Sequence, residues 1–220
     1  MVEPTLTEIF AAPAASAAAA AFALASMGGA GAMRPLLWVQ DRLSRIETGA
    51  PYGPALGLPF LKVAANRPDQ ALAAMEEGLR GDGAVAAVLG EIWGDAAAAD
   101  FTATRRLAMR AEASATPCFL IRHAAEPALS AARMRWRIAQ WPSAAHPDDP
   151  QAPGDPCWRA TLFRARGAQP GDWVIRHDPK THHLRVVAAL SDGHPAADAA
   201  GPAQQGRGAD GRRSARTRDP

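Results

Sequence analysis

Cysteine occurs twice in this 220-residue chain, lysine twice and tyrosine once, and no apolar run is long. Each scarcity removes a class of protein. Cys118 and Cys157 lie 39 positions apart with no CxxC, which excludes a disulfide scaffold and a cysteine-rich zinc site. A reducing cytoplasm is the expected compartment. No apolar stretch reaches the roughly 18 residues of a membrane-spanning helix. Residues 11–25 have the composition of a signal-peptide core. Glu3 and Glu8 precede them where a positive charge is expected, however, and Pro13 interrupts them. Large apolar side chains are scarce as well: Leu, Ile, Val and Phe supply 37 residues, while Ala alone supplies 53. That fraction falls below the roughly 20% at which disorder is considered, but disorder also needs a high net charge. The formal net charge is only +2. Residues 191–220 contain none of the four large aliphatic or Phe side chains. The expectation is one folded domain over 1–190 followed by a disordered tail over 191–220.

What is present has a regular order. Short apolar runs at 6–10, 36–39, 60–64, 85–90 and 118–122 read as strands. Between them, 14–27, 68–80 and 100–114 read as helices, the last two with apolar stripes at helical spacing. This alternation predicts an α/β fold: a parallel core over about 6–123, flanked by helices. The chain then changes character. Runs at 133–141, 157–166, 171–176 and 183–188 read as strands without long helices between them. They are expected to form an antiparallel extension over about 133–188, its last two strands joined by a type I turn at Asp178-Pro179-Lys180-Thr181. Residues 142–156, rich in Pro, read as a loop.

The first strand leads straight into a helix, the place where α/β proteins hold phosphates. A phosphate loop needs Gly where backbone amides approach the ligand, then a Lys and a hydroxyl. Here the junction runs Ala11-Ala12-Pro13-Ala14-Ala15-Ser16-Ala17-Ala18, with no Gly and no Lys. Neither Lys of the chain follows a Gly. Ser16 is expected to cap the helix N-terminus.

In this order the segments resemble RecA with its working residues replaced. Glu8-Ile9-Phe10 stands ahead of the loop, Pro13 and Ser16 match a Pro and a Ser, and Ala17 and Ala18 fall where Gly and Lys would be. Glu91, after Gly90, falls at the magnesium-linked Asp of the resembled strand. The closer resemblance is to the ImuA family of the DNA-damage-inducible mutagenesis cassette. It is carried by 35–45 (PLLWVQDRLSR), 51–54 (PYGP), 74–77 (AMEE), 104–107 (TRRL), Arg135-Trp136-Arg137 and Gly171-Asp172-Trp173. It covers roughly residues 6–187, and the amino-terminal helical lead common in RecA-like proteins is expected to be short or absent. The resemblance implies a RecA-like P-loop-NTPase-type core with a degenerate nucleotide loop, no cofactor and no ATPase activity. The implied role is that of an accessory protein of SOS mutagenesis and translesion DNA synthesis. Implied partners are an ImuB-type Y-family-like protein, an error-prone C-family DNA polymerase and RecA. A SulA-like cell-division inhibitor, also RecA-like without a loop, is the alternative.

With catalysis absent, surfaces matter most. Strand alternation puts Arg133, Arg135 and Arg137 on one face and Met134, Trp136 and Ile138 on the other. The three guanidinium groups are candidates for gripping phosphates or an acidic partner, and the plain alternative is a charged edge strand. Arg122 and His123 end a parallel strand, where α/β folds place ligands. Arg105, Arg106 and Arg110 read as a solvated helix face. His177, Asp178, His182 and His183 read as a hairpin tip, so no metal site is expected. A net charge of +2 implies weak DNA affinity for the chain alone.

Overall fold

A computed structural model describes residues 4–27, 34–81, 83–149, 151–178 and 183–190. The expected tail over 191–220 and the turn centred on Pro179 and Lys180 lie outside these residues. Among the described residues, nine strands form a single sheet in the order β3-β2-β4-β5-β1-β6-β7-β8-β9. They are β1 (Leu6–Ala11), β2 (Leu36–Gln40), β3 (Phe60–Ala64), β4 (Ala87–Trp93), β5 (Cys118–His123), β6 (Met134–Trp141), β7 (Cys157–Ala165), β8 (Gly171–Asp178) and β9 (His183–Ala189). Four α-helices accompany them: α1 (Ser16–Ser26), α2 (Arg42–Thr48), α3 (Pro68–Gly78) and α4 (Phe101–Ala113). The protein is therefore α/β, with a parallel core and antiparallel strands at its carboxyl side. None of these helices is long and apolar enough to cross a membrane.

Every residue of β1, β2 and β5 is buried. Strands covered on both faces read as continuous apolar runs, which is why they are legible in the sequence. Alternate residues serve the two layers. Ile9, Leu36, Trp38, Leu89, Phe119 and Ile121 pack toward α1, around its Phe22. Leu6, Val39, Val88, Ile92, Cys118 and Leu120 pack with Leu72 and Met75 of α3 and Leu107 of α4. The small residues set the spacing. A Cβ on Gly90 would overlap the sulfur of Met75, which is itself fully buried, so β4 can meet α3 this closely only without a side chain there. Burial also pushes the Cys118 thiol far above its ordinary range. Iodoacetamide at pH 8 should therefore leave Cys118 unmodified in the native protein and label it in denaturant. Native labelling in a peptide map would place this residue outside the core.

Two features differ from the sequence reading. The expected antiparallel extension begins one strand later than 133: β6 runs parallel to β1, with Thr7 opposite Met134 and Ala11 opposite Ile138. Antiparallel pairing starts between β6 and β7. Parallel neighbours usually need a helical crossover of a dozen or more residues. Here β5 ends at His123 and β6 starts at Met134. The ten intervening residues, at about 3.3 Å each, suffice to recross a short strand without a helix. The missing helical period was therefore no guide to strand direction. The second difference is α2, which has no counterpart in the sequence reading. Asp41 caps it, accepting from the Ser44 amide at 2.7 Å. Its apolar residues point outward, with Leu43 51% and Ile46 60% exposed, while Ser44 is fully buried. A search for an inward apolar stripe passes over such a helix.

Candidate functional site

The β1–α1 junction is short and closed. Pro13–Ala15 forms a single 3₁₀ turn directly before α1. The Ala15 amide donates to Ala12 O at 2.8 Å, so it is not free for a ligand. The Gln140 side-chain amide, from β6, donates to Ala14 O. Ala12, Pro13, Ala14 and Ala17 present small apolar surfaces to solvent, and Ala18 is half-buried. Ser16 does not cap. It is the first residue of α1, its hydroxyl donates to Pro13 O at 2.9 Å, and the capping position, Ala15, has no side-chain oxygen to offer. The register is one residue later than a serine cap requires, because the 3₁₀ turn occupies the place of the cap. Ala11, at the end of β1, accepts from the Ala124 amide at 2.9 Å.

Glu91 lies two strands from β1, on the same face of the sheet as α1. Its side chain is 2–3% exposed. The carboxylate accepts from Trp38 Nε1, from Gln40 Nε2 at 3.2 Å and from the Thr48 hydroxyl at 3.3 Å. His123 Nε2 lies 2.8 Å away on the second oxygen. His123 is fully buried and packs beside the Trp93 ring, with centroids 5.7 Å apart. Four neighbours from β2, α2 and β5 thus occupy both oxygens. Such a saturated buried carboxylate ties three elements together. Sequence reasoning singled out Glu91 and His123 separately and did not see that they meet.

The opposite face holds a second buried cluster. Glu8, in the middle of β1, accepts from Arg135 Nε at 2.8 Å and has Arg122 Nη1 at 3.9 Å. The Arg135 guanidinium sits 5.2 Å from both the Phe10 and the Phe163 ring centroids, and Arg137 packs 5.6 Å from Phe163. Burial pushes the Arg122 guanidinium below its ordinary value, an effect opposed by Glu8 and Asp95. This arrangement corrects the expected exposed arginine face. Arg133, Arg135 and Arg137 do project to one side, but Arg135 is only 5% exposed and is enclosed between two Phe rings. Arg122 and His123, expected at an open strand end, are 3% and 0% exposed. Arg133 pairs with Glu112 of α4 at 2.7 Å. Of these five positions only Arg137 is largely free in solvent, with a loose contact to Glu126 at 3.9 Å. Alternation assigns a face to each residue but says nothing of what covers that face. The available signal was Glu8: an acid inside a strand with no other charged residue demands a buried cation.

Fold and junction together define an α/β protein with a six-stranded parallel core, whose first strand-to-helix turn is tight and free of glycine. No protein-family profile matches the chain. It is similar to Protein ImuA of two Caulobacter vibrioides strains, NA1000 / CB15N and ATCC 19089 / CIP 103742 / CB 15. Each is 34% identical over 186 residues, covering 76% of this chain and 71% of the relative. The chain belongs to the ImuA family.

Proposed function

We propose that this protein is a cytoplasmic, non-catalytic accessory protein of damage-induced mutagenesis, built on a RecA-like core that has lost its nucleotide loop. The observation that carries this reading is the β1–α1 junction. A phosphate nest needs converging amides and a cation. This turn uses its Ala15 amide internally, is tethered by Gln140 and has Ala17 and Ala18 where Gly and Lys would serve. Two further observations support it. Glu91 lies on a strand separated from β1 by one other strand, as a metal-linked carboxylate would, yet both its oxygens are engaged by protein groups. Membership of the ImuA family supports the mutagenesis cassette as the setting, and with it an ImuB-type protein, an error-prone C-family polymerase and RecA as partners. The protein then acts by bringing partners together, with any DNA contact made inside the complex.

The test is genetic. Deleting the gene in its own host should abolish most damage-induced mutation while leaving spontaneous mutation unchanged, and the full chain supplied in trans should restore induction. Undiminished induced mutation in the deletion strain would overturn the reading. Filamentous cells on overexpression, with mutation unaffected, would replace it with division inhibition.

A further inference from the structure

A groove of about 490 Å³ runs between the outer face of α4 and the start of β6 with the end of β7. Its construction has two parts. Phe101, Arg105 and Met109 recur every four residues and so line one wall along α4. The far wall is Ser130–Arg133 with Arg164–Arg166. The Ala131 amide donates to the Thr104 hydroxyl at 3.2 Å and so fastens the far wall to α4, and the Arg166 amide donates to Arg133 O at 2.8 Å and so joins the two segments of the far wall. A groove held in this way is formed before any ligand arrives.

Its chemistry is uneven. Phe101 and Met109 are 42% and 58% exposed, and Leu129, next in sequence to the far wall, is 67% exposed. Among the described residues, four arginines line the groove against a single carboxylate, Glu112, and Arg133 is already paired with it. Arg105, Arg164 and Arg166 are exposed and have no ion-pair partner among the described residues. Elsewhere on α4, Arg106 and Arg110 are both engaged with Glu76 of α3, at 2.5 and 3.7 Å. The unpaired arginines of this region therefore gather at the groove.

We propose that this groove docks an acidic segment of a partner protein, one that carries at least one large apolar side chain. The arginines supply charge complementarity at the rim, where carboxylates gain paired hydrogen bonds from guanidinium groups. The apolar side chain would cover Phe101 and Met109, which otherwise face water. Single-stranded nucleic acid fits less well, since it calls for aromatic faces on which successive bases stack, and among the described residues Phe101 is the only aromatic one lining the groove. The inference stands on the groove alone, whether or not the protein acts in mutagenesis.

A library of random dodecapeptides displayed on phage, selected against the immobilised full chain, tests it. Enriched sequences should be net acidic and contain Leu, Ile, Phe or Trp. Made synthetically with a fluorophore, they should bind in an anisotropy titration. Affinity should drop on the order of tenfold with Arg105→Glu, Arg164→Glu and Arg166→Glu combined. Met109→Asp alone should weaken it as well, and Arg42→Glu on α2 should leave it unchanged. Circular dichroism serves as the folding control, with each single Arg→Glu variant measured alongside the triple. Enrichment without acidic bias, or binding indifferent to both groove variants, would overturn the proposal. So would oligo(dT) that displaces the peptides at low concentration and depends on the same arginines, because the groove would then be a nucleic-acid surface.

Discussion

Arg135→Ala should destabilise the protein by about 3–5 kcal/mol, the range for removing one partner of a buried ion pair. The side chain is 6% exposed and the Glu8 carboxylate 1%. The substitution leaves Glu8 inside the sheet with only Arg122, at 3.9 Å, for compensation. It also removes a guanidinium packed between Phe10 and Phe163. Arg137→Ala is the control from the same strand. That side chain is 54% exposed, and its loss should cost no more than about 1 kcal/mol. Replacing the whole cluster together, as Glu8→Leu with Arg122→Met and Arg135→Met, should recover much of the loss, because the buried carboxylate is then gone with both of its cations. Urea denaturation of the four proteins measures this. An Arg135→Ala midpoint as little changed as that of Arg137→Ala would mean that Arg135 lies in solvent. The exposed arginine face expected from strand alternation would then stand.

Glu91→Ala should be nearly as costly. The carboxylate serves Trp38, Gln40, Thr48 and His123. Each buried polar group left without its partner costs about 1–3 kcal/mol. Thr48 and Gln40 keep other acceptors, in Ser44 O at 2.8 Å and Gly49 O at 2.9 Å. Trp38 Nε1 and His123 Nε2 have none among the hydrogen bonds of the described residues. Roughly 3–5 kcal/mol is therefore expected for Glu91→Ala. Glu91→Gln keeps the shape and one acceptor and should cost clearly less. Thermal unfolding of both variants distinguishes two roles. A carboxylate kept for structure weakens the fold when removed. One kept poised for a ligand is a local strain, and its removal commonly stabilises. A rise in midpoint for Glu91→Ala would thus contradict the structural role and reopen the carboxylate as a ligand group.

How much of this was legible in the sequence varies by element. The central strands were, because burial on both faces leaves uninterrupted apolar runs such as Leu36-Leu37-Trp38-Val39. The two amphipathic helices α3 and α4 were, because Leu72 with Met75, and Leu107 with Ala111, recur at helical spacing. The glycine-free junction was plain, since its chemistry is local. Three things were not. The direction of β6 depends on how an extended connection recrosses the sheet, which no period encodes. Helix α2 carries its apolar residues outward. The burial of Arg135, Arg122 and His123 depends on partners more than 30 residues away in sequence, Glu8 and Glu91 among them. Alternation can align such groups but cannot pair them. Glu8 was the one local warning, an acid within a strand that holds no other charged residue.

Calorimetric titration of the purified full chain with MgATP, paired with thermal unfolding at saturating nucleotide, asks whether the β1–α1 junction holds a phosphate. A ligand present at 100 times its dissociation constant adds about 2.7 kcal/mol of stability, so specific binding would register in both experiments. The closed turn, with its Ala15 amide bonded to Ala12 O and Ala14 O held by Gln140, predicts no saturable heat and an unchanged unfolding midpoint. Saturable binding with a micromolar dissociation constant, accompanied by a rise in the midpoint, would mean that the junction opens to receive nucleotide, and the non-catalytic reading would fall with it.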